Sequence, residues 1–149
     1  MALIGNILWF VFGFGWLACI LWAVCGVLLC ITVVGIPFGI AAFRIAGFAA
    51  FPFGKDLVDA RDVGEGRIPG TTVANILWVL LAGLWLTLGH ILTGIGCCLT
   101  IIGIPFGLAH FKLAMVSFAP LGKRAVSSDL AGFARSRRAQ EERDKRFSR

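Results

Sequence analysis

The chain is written twice. Asn6-Ile7-Leu8-Trp9 recurs as Asn75-Ile76-Leu77-Trp78, and Trp16 is matched by Trp85 at the same spacing. Further on, Cys30-x-Thr32-x-x-Gly35-Ile36-Pro37-Phe38-Gly39 recurs as Cys98-x-Thr100-x-x-Gly103-Ile104-Pro105-Phe106-Gly107, with the spacing one residue shorter. The match continues through Phe43-Arg44 against Phe111-Lys112, and through Pro52-x-Gly54-Lys55 against Pro120-x-Gly122-Lys123. Chance likeness between two apolar segments does not align Asn, Trp, Pro and basic positions together, whereas a tandem duplication does. The division that follows is a first repeat over 1–55, a polar linker over 56–73, a second repeat over 74–126 and a charged tail over 127–149.

Composition then fixes the solvent. Nothing charged occurs from Met1 through Ala42, and between Arg67 and His110 only His90 and cysteines titrate. Each stretch exceeds the ~20 apolar residues that cross about 30 Å of hydrocarbon. With 58% hydrophobic residues, 15% charged residues and a mean hydropathy of +0.89, a soluble domain, a disordered chain, collagen and a secreted disulfide scaffold are all excluded. The expected class is an all-α integral membrane protein. The start MALIGNILWFVF lacks the basic region of a cleaved signal, so the N-terminus is expected to stay attached.

Within each copy the first apolar segment, about Ile7 to Val33 and Ile76 to Ile102, is long enough to span with tilt. Pro37 and Pro105 then interrupt the helix, with Gly35, Gly39, Gly103 and Gly107 placed to permit sharp turning, including positive φ. The second segments, Pro37 to Phe51 and Pro105 to Ala119, reach only roughly 22 Å, which is marginal for crossing. Four apolar helical segments thus form two helix–GIPFG–helix repeats. Each repeat is either a two-crossing hairpin or a crossing followed by a re-entrant helix. The hairpin is favoured because both copies end in the same Pro-x-Gly-Lys signal, and equivalent ends on one side need an even number of crossings.

Orientation follows from the tail, which carries Lys123, Arg124, Arg135, Arg137, Arg138, Arg143, Lys145, Arg146 and Arg149. The positive-inside rule places it in the cytoplasm. The linker mixes Lys55, Arg61 and Arg67 with Asp56, Asp59, Asp62 and Glu65, and agrees only weakly.

The second copy, from Asn75-Ile76-Leu77-Trp78 through Ile102-Gly103-Ile104-Pro105, Phe111-Lys112-x-Ala114 and Pro120-x-Gly122-Lys123, resembles the YccF family of small bacterial inner-membrane proteins. The resemblance covers about Asn6 to Val126, since that family also carries two copies. It implies a multi-pass protein of the bacterial inner membrane and carries over no enzymatic role to this chain. The first copy departs at Ala42, where the second has His110, so no role for that histidine extends to both halves.

Several residues carry chemistry. Arg44 and Lys112 place a cation in an apolar segment at a cost of about 2.5–3.5 kcal/mol on insertion scales. They either face a pathway, an anion or a lipid headgroup, or they snorkel to the nearer interface. The Gly-Ile-Pro-Phe-Gly breaks read first as tight turns and second as broken helices whose freed backbone lines an ion path. Asn6 and Asn75 are expected to cap helix starts, and Trp9 and Trp78 to anchor at the headgroup belt, with Trp16 and Trp85 packing deeper. Cys19, Cys25, Cys30, Cys97 and Cys98 lack ligand spacing and read as packing residues, so no metal or cofactor is expected. His90 reads as a neutral imidazole bonded across a helix interface, and His110 as lying closer to water near Lys112. A proton relay through either is a remote alternative.

Gly13, Gly15, Gly26, Ala46, Gly47, Gly94 and Gly96 allow close helix approach, and four segments enclose little space. Any aqueous path is therefore expected between subunits of a homo-oligomer. The tail reads as a surface helix with Glu141–Lys145 and Glu142–Arg146 pairs and a thin apolar edge of Leu130 and Phe133, suited to anionic lipid rather than nucleic acid. The sequence therefore predicts a non-enzymatic oligomeric pore for small ions, or alternatively a membrane-embedded scaffold or accessory subunit that binds anionic lipid or another inner-membrane protein.

Overall fold

A computed structural model describes residues 2–66 and 69–148, so Arg67 and Arg149 of the basic inventory lie outside the described residues. The chain is mostly helical: α1 (Ala2–Phe12), α2 (Gly15–Cys30), α3 (Ile36–Ala50), β1 (Lys55–Asp59), a 3-10 turn (Ala60–Val63), α4 (Thr71–Trp78), a π turn (Val79–Gly83), α5 (Leu84–Cys98), α6 (Ile104–Phe118), β2 (Lys123–Ser127) and α7 (Ser128–Phe147).

The core of each repeat is a hairpin, α2 on α3 and α5 on α6. Pro37 and Pro105 sit in the first turn of α3 and α6, where a missing N–H costs nothing because the helix has no partner for it there. The Thr32 and Thr100 hydroxyls accept from the amides of Gly35 and Gly103 at 3.1 Å and close the turn. The glycines, however, do not supply positive φ. Gly35 and Gly103 both have φ of −79°, and no residue of either motif adopts a left-handed conformation. They are small because backbone crosses there: a Cβ on Gly39 meets Cys30 Sγ and, at 2.7 Å, the Gly26 carbonyl, and Gly107 meets Cys98 Sγ and the Gly94 carbonyl in the same way.

The first apolar segments differ between the copies. Thr71–Cys98 continues through the π turn as one helix, long and apolar enough to cross a membrane. In the first repeat α1 and α2 meet at 74°, with Phe14 at φ 56° in the break, so Ile7 to Val33 is not one straight span. Gly15 and Gly83 occupy matching places, each closing on the indole of Trp9 or Trp78. The one-residue difference between copies therefore lies just after those indoles, and Trp16 is not the counterpart of Trp85. The shorter helices α3 and α6 have 15 residues each.

The mostly helical chain agrees with the expected all-α membrane class, and the structure adds to it one two-stranded ribbon not foreseen from the sequence. β1 and β2 form an antiparallel ribbon in which Lys55 faces Ser127, Leu57 faces Ala125 and Asp59 faces Lys123. The segment expected as a polar linker thus begins with a strand, because the backbone leaving each helix at Pro-x-Gly needs partners, and the two departing segments supply them to each other. Leu57 and Ala125 are equivalent positions of the two repeats and pair together, which places an approximate two-fold axis through the ribbon. The same symmetry carries the Ala60 N–H to Gly122 carbonyl bond (2.8 Å) onto that of Ser128 N–H to Gly54 (3.1 Å). Gly54 and Gly122 have φ of 77° and 79°, so positive φ belongs to the Pro-x-Gly-Lys signal. Both α3 and α6 consequently end at one polar end of the molecule.

Helix α7 packs on the ribbon and the 3-10 turn, burying Ala131 and Ala134 and leaving Leu130 and Phe133 exposed. Ser127 caps it by accepting from the Leu130 amide. Among the described residues Glu141 and Glu142 pair with Arg137 (3.6 Å) and Arg138 (3.3 Å) rather than with Lys145 and Arg146. Arg138 also reaches Asp62 at 3.5 Å, which draws it toward the ribbon and explains the choice of partner.

Candidate functional site

Each repeat contributes an asparagine and a tryptophan that act on the end of its own second helix. Asn6 accepts from the Phe53 N–H (2.9 Å) and donates to the Phe53 carbonyl (3.1 Å), and Asn75 does the same with Leu121 at 3.1 and 3.0 Å. The asparagines thus hold the Pro-x-Gly turns, and do not cap helix starts as expected. A half-buried amide pair of this kind contributes about 1–3 kcal/mol when its loss strands both backbone groups. We expect Asn6→Ala and Asn75→Ala each to lower thermal stability in detergent by that order, with Asn→Asp intermediate because it keeps only the acceptor. Variants that melt like wild type would deny the clamp.

Trp9 and Trp78 are buried at 0% and 6% exposure, which corrects their placement as headgroup anchors. Their indole N–H groups donate to Ala49 and Ser117 carbonyls at 2.7 and 2.8 Å. Those carbonyls lie in the last turn of α3 and α6, where a helix leaves its oxygens without partners. The rings meanwhile cross to the other repeat: Trp9 packs on Phe106 and edge-on against His110, and Trp78 stacks on Phe38 and Trp22. Trp16 and Trp85, expected to be deeper, are 42% and 69% exposed. Spacing alone could not order them, since depth depends on which face the opposite repeat covers.

The two cations are treated differently. The Lys112 ammonium donates to the Lys55 carbonyl at 2.9 Å and pairs with Asp56 at 2.8 Å, so it is gathered into the ribbon. Arg44 is exposed, with its charge in range of Arg124 and Glu65. Gly35, Pro37, Gly39, Gly103, Pro105 and Gly107 form the hairpin turns and crossings described above.

His90 and His110 bring their Nδ1 atoms to 3.1 Å across α5 and α6, which requires one imidazole to donate and the other to accept. Both line a cleft of about 380 Å³ between α2 and α5, walled by Ala18, Leu21, Trp22, Cys25, Trp85, Leu86, Gly89 and Thr93. The positions equivalent to the two histidines are Trp22 and Ala42, so the pair has no twin in the first repeat. Among the described residues no group of three or more His, Cys, Asp or Glu side chains is placed to hold a metal ion.

Two like hairpins with apolar outer faces, tied at one polar end, define a small helical membrane protein. The chain matches the YccF family, described as an inner membrane component domain, over residues 4–55 and 73–123, and it belongs to that family. It is 34% identical over 140 residues to the inner membrane protein YccF of Escherichia coli K12 and, equally, to that of Shigella flexneri, covering 91% of this chain and 94% of each relative. No solved structure matches.

Proposed function

We propose that the chain is a membrane-embedded scaffold or accessory subunit of the bacterial inner membrane. In this reading the ribbon and α7 lie at the cytoplasmic face and bind anionic lipid or another membrane protein. The observation that carries it is helix α7, packed on the ribbon with Leu130 and Phe133 exposed beside its basic side chains. Within the protomer the indoles that join the repeats, together with Phe38, Phe106 and Leu113, fill the interior and leave a pore only the space between subunits. The break residues serve hairpin packing, and Lys112 already has protein acceptors. The basic side chains of α7 beside exposed Leu130 and Phe133 suit an anionic leaflet.

An oligomeric pore for small ions is the second reading, favoured by the open cleft at His90 and His110, which a second copy could close. Reconstitution of the full chain into liposomes, with potassium, chloride and proton flux followed by trapped dyes, separates the two. The scaffold reading expects flux equal to that of empty vesicles. Unitary currents whose selectivity shifts on Arg44→Glu would overturn it in favour of the pore.

A further inference from the structure

The two-fold axis of the ribbon makes Lys112 equivalent to Arg44 and Asp56 equivalent to Arg124. Helix α6 touches β1, and α3 touches β2, as that symmetry requires. The charges do not follow it. On one side Lys112 meets Asp56, with Arg135 near the second carboxylate oxygen at 3.7 Å. On the other side the equivalent positions carry Arg44 on α3 and Arg124 on the ribbon, two like charges within electrostatic range of each other.

Glu65 stands beside Arg124 and within electrostatic range of Arg44. Its carboxylate pairs with Arg124, and its pKa is held below the usual glutamate range, first by the hydrogen bond from Arg124 and then by the charges of Arg124 and Arg44. Glu65 comes from the loop after the 3-10 turn, between Gly64 at φ 81° and Gly66, with open space around both glycines. The carboxylate is itself half exposed. Arg124 also donates to the Lys123 carbonyl at 3.3 Å, whereas Arg44, among the described residues, makes no ion pair or hydrogen bond. One carboxylate on a loop with open space at both flanking glycines thus pairs with one guanidinium and leaves the other, among the described residues, with its donors to spare.

We propose that Arg44 and Arg124 form a binding site for a phosphate group, with Glu65 as a built-in competitor that the phosphate displaces. Two planar guanidinium forks match the several acceptor oxygens of a phosphate better than they match one carboxylate. The group is either the phosphate of an anionic lipid, met where α3 reaches the ribbon, or free inorganic phosphate. The site goes beyond the scaffold reading and is independent of it, because it would bind equally well on the wall of a pore.

The test uses the full chain in neutral detergent, titrated separately with phosphatidylglycerol, followed by native mass spectrometry, and with inorganic phosphate, followed by thermal shift. Arg44→Gln and Arg124→Gln should each weaken binding about tenfold, the scale of one lost charge-assisted bond. Glu65→Gln should strengthen it, a gain that misfolding cannot imitate, and Arg61→Gln on the 3-10 turn, a cation outside both the ribbon and α7, should leave it unchanged. Response to the lipid alone, or to phosphate alone, identifies the source and supports the site in either case. Binding that is insensitive to Glu65→Gln, or that falls equally with Arg61→Gln, overturns the proposal, as does the absence of binding in both titrations.

Discussion

Replacing Gly39 or Gly107 with alanine should abolish recovery of folded protein, while Gly47→Ala, in the same helix as Gly39, should leave it intact. At Gly39 the added methyl meets a carbonyl of the facing helix at 2.7 Å, together with the Cys30 sulfur. A carbonyl cannot rotate away as a side-chain tip can, so α2 and α3 must separate along the length of their contact. Overpacking at one site costs about 1–3 kcal/mol, and a backbone clash between two helices belongs at or beyond the upper end. At Gly47 nothing lies within 4 Å, and alanine gains up to about 1 kcal/mol of helix propensity. Pro37→Ala should be mild, because alanine fits a first turn. Monodisperse elution in detergent and the melting temperature measure all four. Equal recovery of Gly39→Ala and Gly47→Ala would show that α2 and α3 do not cross at Gly26 and Gly39.

The same comparison shows which features could be read before any coordinates. The duplication and the two proline breaks were legible, because chemistry at a break is local: Pro37 and Pro105 interrupt a helix whatever surrounds them. The role of the glycines beside them was not, since close approach to Gly26 or Gly94 is a tertiary fact, and within the repeated motifs it is Gly54 and Gly122, not the break glycines, that use the left-handed region. The ribbon escaped for a similar reason. Lys55–Asp59 and Lys123–Ser127 are five residues each, polar, and without a sustained alternation of apolar residues, and their pairing joins segments far apart in the chain.

At the candidate site, the two membrane cations were legible as an anomaly in an apolar run. Their different fates were not, because those depend on Asp56 and Arg124 across the ribbon. A signal was present in the repeat alignment itself, where an acid in one copy stands against a base in the other. The histidine pair was half legible: an imidazole bonded across a helix interface was expected at His90, but nothing in spacing named His110 as its partner.

The indoles give the other large effect. Trp9→Ala should cost about 3–5 kcal/mol, because it removes a fully buried ring from the junction of the two repeats and leaves a cavity between elements that cannot close on it without moving α6. Trp9→Phe separates the two contributions: it keeps most of the ring against Phe106 and His110 but removes the N–H that serves the Ala49 carbonyl, for about 1–3 kcal/mol. Trp78→Ala should match Trp9→Ala, since Ser117 and Phe38 stand in the places of Ala49 and Phe106, and Trp22 covers the ring of Trp78 as His110 covers that of Trp9. Trp85→Ala should fall within about 0.5 kcal/mol of wild type, because that ring is largely exposed and belongs to no junction. Melting temperature and the unfolding midpoint in a mixed detergent rank the four variants. The decisive comparison is between Trp9 and Trp85, which occur in like sequence surroundings and differ in what the opposite repeat covers. If Trp85→Ala proved as damaging as Trp9→Ala, the indoles would be serving the membrane interface in both places, and the repeats would not be joined through Trp9 and Trp78.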